Sequence, residues 1–156
     1  MKNIWISGSV NSGKSTASKS LGLKLKMAVI ELDAFSEFVE NFMSFEEYLK
    51  LNYQIIPEIV EIYNKRNIGV IIAYPLGVEN YENLKAQLIK FKIFTLDPSL
   101  EIALTERGGR KLNNWERERI NHHYDNNVND NYFSIRIDTR NKSVEETVIE
   151  IIDYLE

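Results

Sequence analysis

Asn3-Ile4-Trp5-Ile6-Ser7-Gly8-Ser9-Val10-Asn11-Ser12-Gly13-Lys14-Ser15-Thr16 is the stretch on which the reading of this chain turns. A short apolar run leads into G-x-x-x-x-G-K-S, and a helix-forming segment follows. Strand, glycine loop and helix in that order form the setting in which this motif binds phosphate. Gly8 and Gly13 let the backbone turn tightly and approach an anion without Cβ interference. Successive backbone N–H groups then make a cradle, reinforced by the N-terminus of the helix beginning near Lys14. Lys14 is placed to reach the β- and γ-phosphates, and the Ser15 hydroxyl to ligate Mg²⁺. The expected nucleotide-binding residues are Gly8, Asn11, Ser12, Gly13, Lys14, Ser15 and Thr16.

Working outward, 156 residues suit one domain, residues 1–156, with a substantial core. Hydrophobic residues at 44% and charged residues at 27% are ordinary for a globular chain. A formal charge of −4 argues against nonspecific nucleic-acid binding. With no cysteine, disulfides and thiolate metal sites are excluded. The first apolar run is short and broken by Gly8, so it does not read as a signal peptide. No apolar stretch is long enough to span a bilayer. The expectation is a soluble, cytoplasmic protein without a membrane partner.

Strands and helices alternate along the whole chain. A helix is expected over about Lys14 to Lys24 and a strand over Met27 to Leu32, running into Asp33. Residues 34–53 read as one or two short helices. Pro57 opens either a fresh helix to Lys65 or a kinked continuation. The apolar run Ile68 to Tyr74 fits a strand covered on both faces. A helix over Asn80 to Ile89 and a strand over Ile93 to Leu96 follow. Asp97-Pro98 reads as an N-cap and first helical position. Asn113 or Asn114 caps a helix from Trp115 to about Tyr124, and Tyr132 to Asp138 is a fifth strand. Ser143-Val144-Glu145-Glu146 reads as a capping box for the last helix. The class is α/β with a parallel sheet and right-handed crossovers.

In an open parallel sheet, ligands gather at the carboxyl ends of strands. Asp33 is an acid at such an end. It is a candidate to take a proton from a substrate hydroxyl or to hold a Mg²⁺-bound water, and a helix N-cap is the structural alternative. Arg107, Arg110, Arg117 and Arg119, broken by Gly108-Gly109, lie within thirteen positions. Phosphoryl transfer needs cations that close over developing charge, and a Gly-hinged basic segment suits a lid. A solvated helix face carrying surface ion pairs is the plainer reading of the same residues. His122-His123 followed by Asp125 lacks metal-ligand spacing and reads as structural or surface. Neither Asn64-Lys65 nor Asn141-Lys142 is followed by the Asp of a guanine-reading motif, which favours ATP as donor.

These residues resemble the small P-loop kinases of the shikimate kinase and nucleoside-monophosphate kinase type, including chloramphenicol phosphotransferase-like members. The resemblance rests on Gly8 to Thr16, Leu96-Asp97-Pro98, Arg107 to Arg110 and Thr139 to Glu146. It implies a five-stranded parallel sheet of order 2-3-1-4-5, a helical acceptor insert at about 34–63 and a lid at about 107–114. It also implies that Arg107 or Arg110 stacks on adenine or touches phosphate. Arg119 would face the acceptor or γ-phosphate, and Arg140 would flank the adenine. The departures from shikimate kinases bear on substrate. Only Glu31-Leu32-Asp33 stands where they carry D-x-D, and Tyr74-Pro75-Leu76-Gly77 stands where they carry a triple glycine. Between Ala34 and Asn64 there is no arginine to grip a carboxylate, and Lys50 is the one basic residue. Phe35, Phe38, Phe42, Tyr48 and Tyr53 suit a less charged, partly apolar acceptor. The expected activity is ATP- and Mg²⁺-dependent transfer of a phosphoryl group to a small hydroxyl-bearing acceptor other than shikimate. Lys14, Asp33, Arg107, Arg110 and Arg119 are the candidate catalytic residues, and Ser15 and Asp33 the candidate metal ligands. The alternatives are a nucleoside or nucleotide kinase, and a nucleotide-binding regulatory or toxin-like protein.

Overall fold

A computed structural model describes residues 3–106 and 109–156. The sheet has five strands, β1 (Asn3–Ser7), β2 (Ala28–Glu31), β3 (Val70–Ala73), β4 (Phe91–Asp97) and β5 (Ile135–Asp138). Their spatial order is β2-β3-β1-β4-β5 and every pairing is parallel. That is the expected architecture. Helices α1 (Lys14–Leu25), α2 (Phe45–Asn64), α3 (Val78–Leu88), α4 (Leu100–Ala103), α5 (Asn114–Asp125) and α6 (Val144–Asp153) connect or follow the strands.

Central β1 is buried along its whole length, which explains its nearly unbroken apolar sequence. Successive side chains point to opposite faces. Ile4 and Ile6 pack with Ala17, Leu21, Val148 and Ile151, beneath α1 and α6. Trp5 faces the other way, among Leu32, Ile56, Ile72 and Leu84, beneath α2 and α3. Each fully buried Ile or Leu contributes about 1.5–3 kcal/mol, so both faces are needed to hold the strand central. Three polar side chains stitch β1 to its surroundings. Asn3 Oδ1 accepts the Val70 N–H (3.0 Å) and Ser7 Oγ the Leu76 N–H (2.9 Å), while Trp5 Nε1 donates to the Tyr74 carbonyl (2.8 Å). The Ser7 and Trp5 bonds fix the chain leaving β3 against the phosphate loop.

The structure departs from the sequence expectations in several places. Strand β2 ends at Glu31, because Leu32 turns into the core and starts a 3-10 segment, Leu32–Phe38. Helix α2 is continuous through Pro57, so of the two readings the continuation holds. Its apolar face, including Ile56 and Val60, packs on the sheet core and outweighs the hydrogen bond that proline removes. Helix α3 begins two residues earlier than expected, after Gly77. Strand β5 starts at Ile135 rather than Tyr132. Tyr132 and Phe133 instead pack on Tyr81 of α3, with the Tyr81 and Phe133 rings stacked at 4.0 Å.

Asp97 is a correction of kind. It is not a helix cap and Pro98 is not a first helical residue. Asp97 ends β4, buried, and its carboxylate accepts from Tyr124 Oη (3.0 Å), Arg136 Nε (2.9 Å) and the Ser99 N–H (3.1 Å). The cap role passes to Ser99, at φ 76, and α4 shrinks to four residues. Of Asn113 and Asn114, Asn113 is the cap of α5, reciprocated by Glu116. No helix among the described residues is long and apolar enough to cross a membrane.

Candidate active site

The loop between β1 and α1 has a backbone that only its sequence permits. Gly8 sits at φ +143, and a Cβ there would lie 2.7 Å from the Leu96 carbonyl and 2.5 Å from Ser12 Oγ. Gly13 sits at φ +90, caps α1 without any side chain, and opens onto free space. No acidic residue occupies the first turn of α1. Its leading N–H groups are therefore directed at an open cradle and meet no internal anion. Ser12 Oγ is buried beside them with no hydrogen-bond partner, a donor suited to a phosphate oxygen.

Two tethers hold the loop from outside. Asn11 Nδ2 donates to the Ala103 (2.8 Å) and Thr105 (2.9 Å) carbonyls, tying it to α4. Val10 N–H donates to Nδ1 of His123 in the last turn of α5 (3.3 Å). Lys14 is buried, and its Nζ donates to the Ser9 carbonyl (3.1 Å) across the loop. Burial lowers its pKa to about 8, against the attraction of Asp33 and Glu31.

The acids stand at the end of β2. Burial pushes the Asp33 carboxyl above the usual range, countered by Lys14 and reinforced by neighbouring Glu31. Asp33 lies inside the first turn of the 3-10 segment and is not its cap; Glu31 holds that position. The helix-cap alternative for Asp33 therefore falls. Glu31 is held below the ordinary carboxylate range by Lys19, 2.7 Å away, and by the Ser15 hydroxyl. Its contact with Ser15 makes Glu31 a candidate site residue beside Asp33, one that the sequence pattern alone does not single out. A metal fitted here would meet the Ser15 hydroxyl with Glu31 and Asp33 behind it. This small oxygen set suits Mg²⁺ shared with phosphates better than a protein-enclosed ion. Among the described residues no cluster of three His, Cys, Asp or Glu forms a metal cage.

A cavity of about 640 Å³ opens beside the loop, lined by Lys14, Asp33, Phe45, Tyr74, Trp115 and Arg119 among others. Three of the expected catalytic residues, Lys14, Asp33 and Arg119, thus share one space. The Arg119 guanidinium lies over the Phe45 ring, 5.6 Å from its centroid, bridging α5 to the start of α2. Arg110 is not on the cavity wall. It pairs with Glu116, the glutamate of the α5 capping box. Arg140 pairs with Asp138, whose carboxyl it holds far below the usual range. Arg107 lies outside the described residues. Gly13 and Thr16 are exposed at the cradle's mouth, and Ser15 is half-buried there.

A glycine loop at the carboxyl end of the central parallel strand β1, with the acids Glu31 and Asp33 at the same end of the sheet after β2, two strands away, is the arrangement of the small P-loop kinase fold. Solved structures bear this out. The chain is similar to a sugar kinase from Janibacter sp. HTCC2649 (TM-score 0.77, 15% identity, 99% of this chain and 94% of that one). It is similar to shikimate kinase from Aquifex aeolicus vf5 (TM-score 0.69, 18% identity, 98% and 95%). A gluconokinase from Sinorhizobium meliloti 1021 aligns at TM-score 0.67 and 12% identity over 99% and 95%. At these identities the likeness is one of fold. No protein-family model matches the sequence, and no curated protein does.

Proposed function

We propose that the chain is an ATP- and Mg²⁺-dependent phosphotransferase that moves the γ-phosphoryl group to a hydroxyl of a small acceptor. The observation that carries this reading is the shared cavity, where Lys14, Asp33 and Arg119 meet beside an uncapped helix N-terminus. The loop amides, Ser12 and Lys14 bind the donor phosphates, and Ser15 with Glu31, and Asp33 through a metal-bound water, would hold Mg²⁺, which would neutralise phosphate charge. Asp33 orients the acceptor hydroxyl and takes its proton. The acceptor oxygen forms a bond to the γ-phosphorus as the bond to the β–γ bridging oxygen breaks, and ADP leaves. Burial of Asp33 supports its role as base, since a raised carboxyl pKa approaches the working pH of general-base catalysis. Arg119 moves from Phe45 to the transferred group, and Arg110 and Arg140, exchanging Glu116 and Asp138 for phosphate or base, serve the nucleotide together with Arg107.

The acceptor is a neutral, partly apolar alcohol and not shikimate. Phe45, Leu49, Tyr74 and Trp115 wall the cavity, and Lys14 and Arg119 are the lining cations among the described residues. Both are committed to phosphate, so no bidentate cation remains for a carboxylate. Neighbours named as a sugar kinase, a gluconokinase and shikimate kinases support a hydroxyl acceptor here. ADP release from ATP, measured with neutral alcohols and sugars against shikimate, tests the reading. Acceptor-dependent turnover is expected with a neutral compound. Efficient shikimate turnover overturns the acceptor assignment, and ATP binding without turnover on any acceptor favours a nucleotide-binding regulatory protein.

A further inference from the structure

His123 has no part in the reading above, yet it touches the loop on which everything depends. It is 3% exposed, lines the cavity with Lys14 and Arg119, and stands 113 residues from the loop residue it contacts. The hydrogen bond decides its tautomer. Val10 N–H can only donate, so Nδ1 must carry a lone pair and the ring proton sits on Nε2. Among the described residues no protein group accepts that Nε2–H. The electrostatics agree, because burial, Arg119 and Lys14 bring the ring pKa down to about 3.

We propose that His123 is a neutral positioning residue that clamps the phosphate loop through Val10 and offers its Nε2–H to an oxygen of the transferred phosphoryl group. A neutral donor fits this place better than a third cation. Lys14 and Arg119 already face the ring, and a protonated imidazole would lose the loop as its donor. A ring fixed on one side by backbone is also pre-aimed on the other, so little ordering remains when ligand binds. The donor half of the inference rests on the phosphotransferase reading, and the clamp half does not.

The two ring nitrogens are separable by substitution. Asparagine places its oxygen near Nδ1 and keeps an acceptor for Val10, whereas glutamine places its amide near Nε2 and keeps a donor. His123→Asn is expected to bind ADP as the unaltered chain does but to lose about tenfold or more in kcat, the scale of one hydrogen bond to a charged oxygen. His123→Gln is expected to keep more kcat and to weaken ADP binding about 3–10-fold, the scale of one neutral hydrogen bond. The chain has two histidines, so ring ¹⁵N shifts of the unaltered protein, assigned with His122→Gln, read the tautomer directly. A protonated Nε2 with a bare Nδ1 from pH 5 to 9 is expected. A proton on Nδ1, or Asn and Gln variants alike in both ADP affinity and kcat, overturns the proposal. If no acceptor supports turnover even in the unaltered chain, the phosphotransferase reading fails with the donor role. The tautomer and ADP affinities still decide the clamp.

Discussion

Four helices of this chain begin in two contrasting ways. At α2, α5 and α6 the leading N–H groups are closed by complete capping boxes, Ser44 with Glu47, Asn113 with Glu116 and Ser143 with Glu146. Each box brings an acid to the positive end of its helix dipole, so nothing further is wanted there. At α1 the cap is Gly13, the first turn has no acid, and the charge closest to the cradle is the Lys14 ammonium. Of these four termini three are finished internally and one is left open; α3 also starts at a glycine, Gly77, without a side-chain cap, but it carries Glu79 in its first turn. The contrast also shows why the site is costly to assemble. Lys14 is buried beside that positive terminus, and among the described residues Asp33 and Glu31 offset its charge.

The largest expected effect comes from removing the cation at the open terminus. Lys14→Ala should lower kcat about 10³-fold or more and weaken nucleotide binding, with the circular dichroism of the fold retained. Equal ATP affinity and turnover in that variant would show that α1 is merely uncapped, not a phosphate site.

Asp33→Asn comes next. With Asp33 placed on the cavity wall and excluded as a cap, the substitution keeps the size of the side chain while removing the proposed base. The expected loss in kcat is about 10²-fold, with ADP affinity little changed. Normal kcat would take Asp33 out of the reaction and leave Glu31 as the acid to test.

The Ser143 box and the glycine loop were legible because both are local. Ser143-Val144-Glu145-Glu146 and Gly8 to Thr16 each place all their chemistry within a few residues, where spacing alone dictates geometry. The sheet order came through the family likeness, not through periodicity. What stayed hidden is long-range. Asp97 looks like a cap until Arg136, 39 residues on, and Tyr124 claim its carboxylate. His123 looks like a surface residue beside His122 until the fold sets it under Val10. Glu31 carries no signal of its own; Ser15 and Lys19 become its partners only once β2 lies alongside α1. The sequence extends β2 one residue too far, to Leu32, because Leu32 is apolar enough for a strand, and only the core beneath it decides that it turns.

A pH series sharpens the same contrast with a smaller effect. The Lys14 pKa of about 8 lies below the ordinary 10.5. Between those values the unfolded chain holds a proton that the folded chain has lost, so the Lys14 contribution to stability rises with pH. Bound phosphate demands the ammonium, so nucleotide binding must take up that proton. ADP affinity, measured without Mg²⁺, should therefore fall about tenfold per unit above pH 8 while the unliganded fold gains stability. In Lys14→Ala the Lys14-dependent parts of both slopes should vanish. An affinity flat from pH 8 to 9.5 would show that Lys14 keeps its charge unaided.

The smallest effect belongs to a finished terminus, and it completes the comparison. In α6, Ser143 Oγ accepts the Glu146 N–H (3.2 Å), and the Glu146 carboxylate accepts the Ser143 N–H (2.8 Å) and hydroxyl (2.8 Å). Ser143→Ala removes the serine half of the box, and the glutamate keeps only the backbone donor. Loss of one N-cap in a chain of this size corresponds to a fall of about 2–4 °C in thermal midpoint. Because α6 packs on the face of the sheet opposite α2 and α3, kcat and ADP affinity should not change. Acid adds a second check. Backbone and hydroxyl donation from Ser143 holds the Glu146 carboxyl below its ordinary range. The stability it supplies is present above the unfolded pKa and disappears as pH falls through the folded one. The gap in midpoint between the two proteins should accordingly narrow on acidification below about pH 4.5, the ordinary value for this carboxyl. A gap that is constant with pH would mean that the serine, not the reciprocal pair, finishes the helix. A fall in kcat from Ser143→Ala would mean that capped and open termini are coupled through α1 and α6, and the division between them would have to be redrawn.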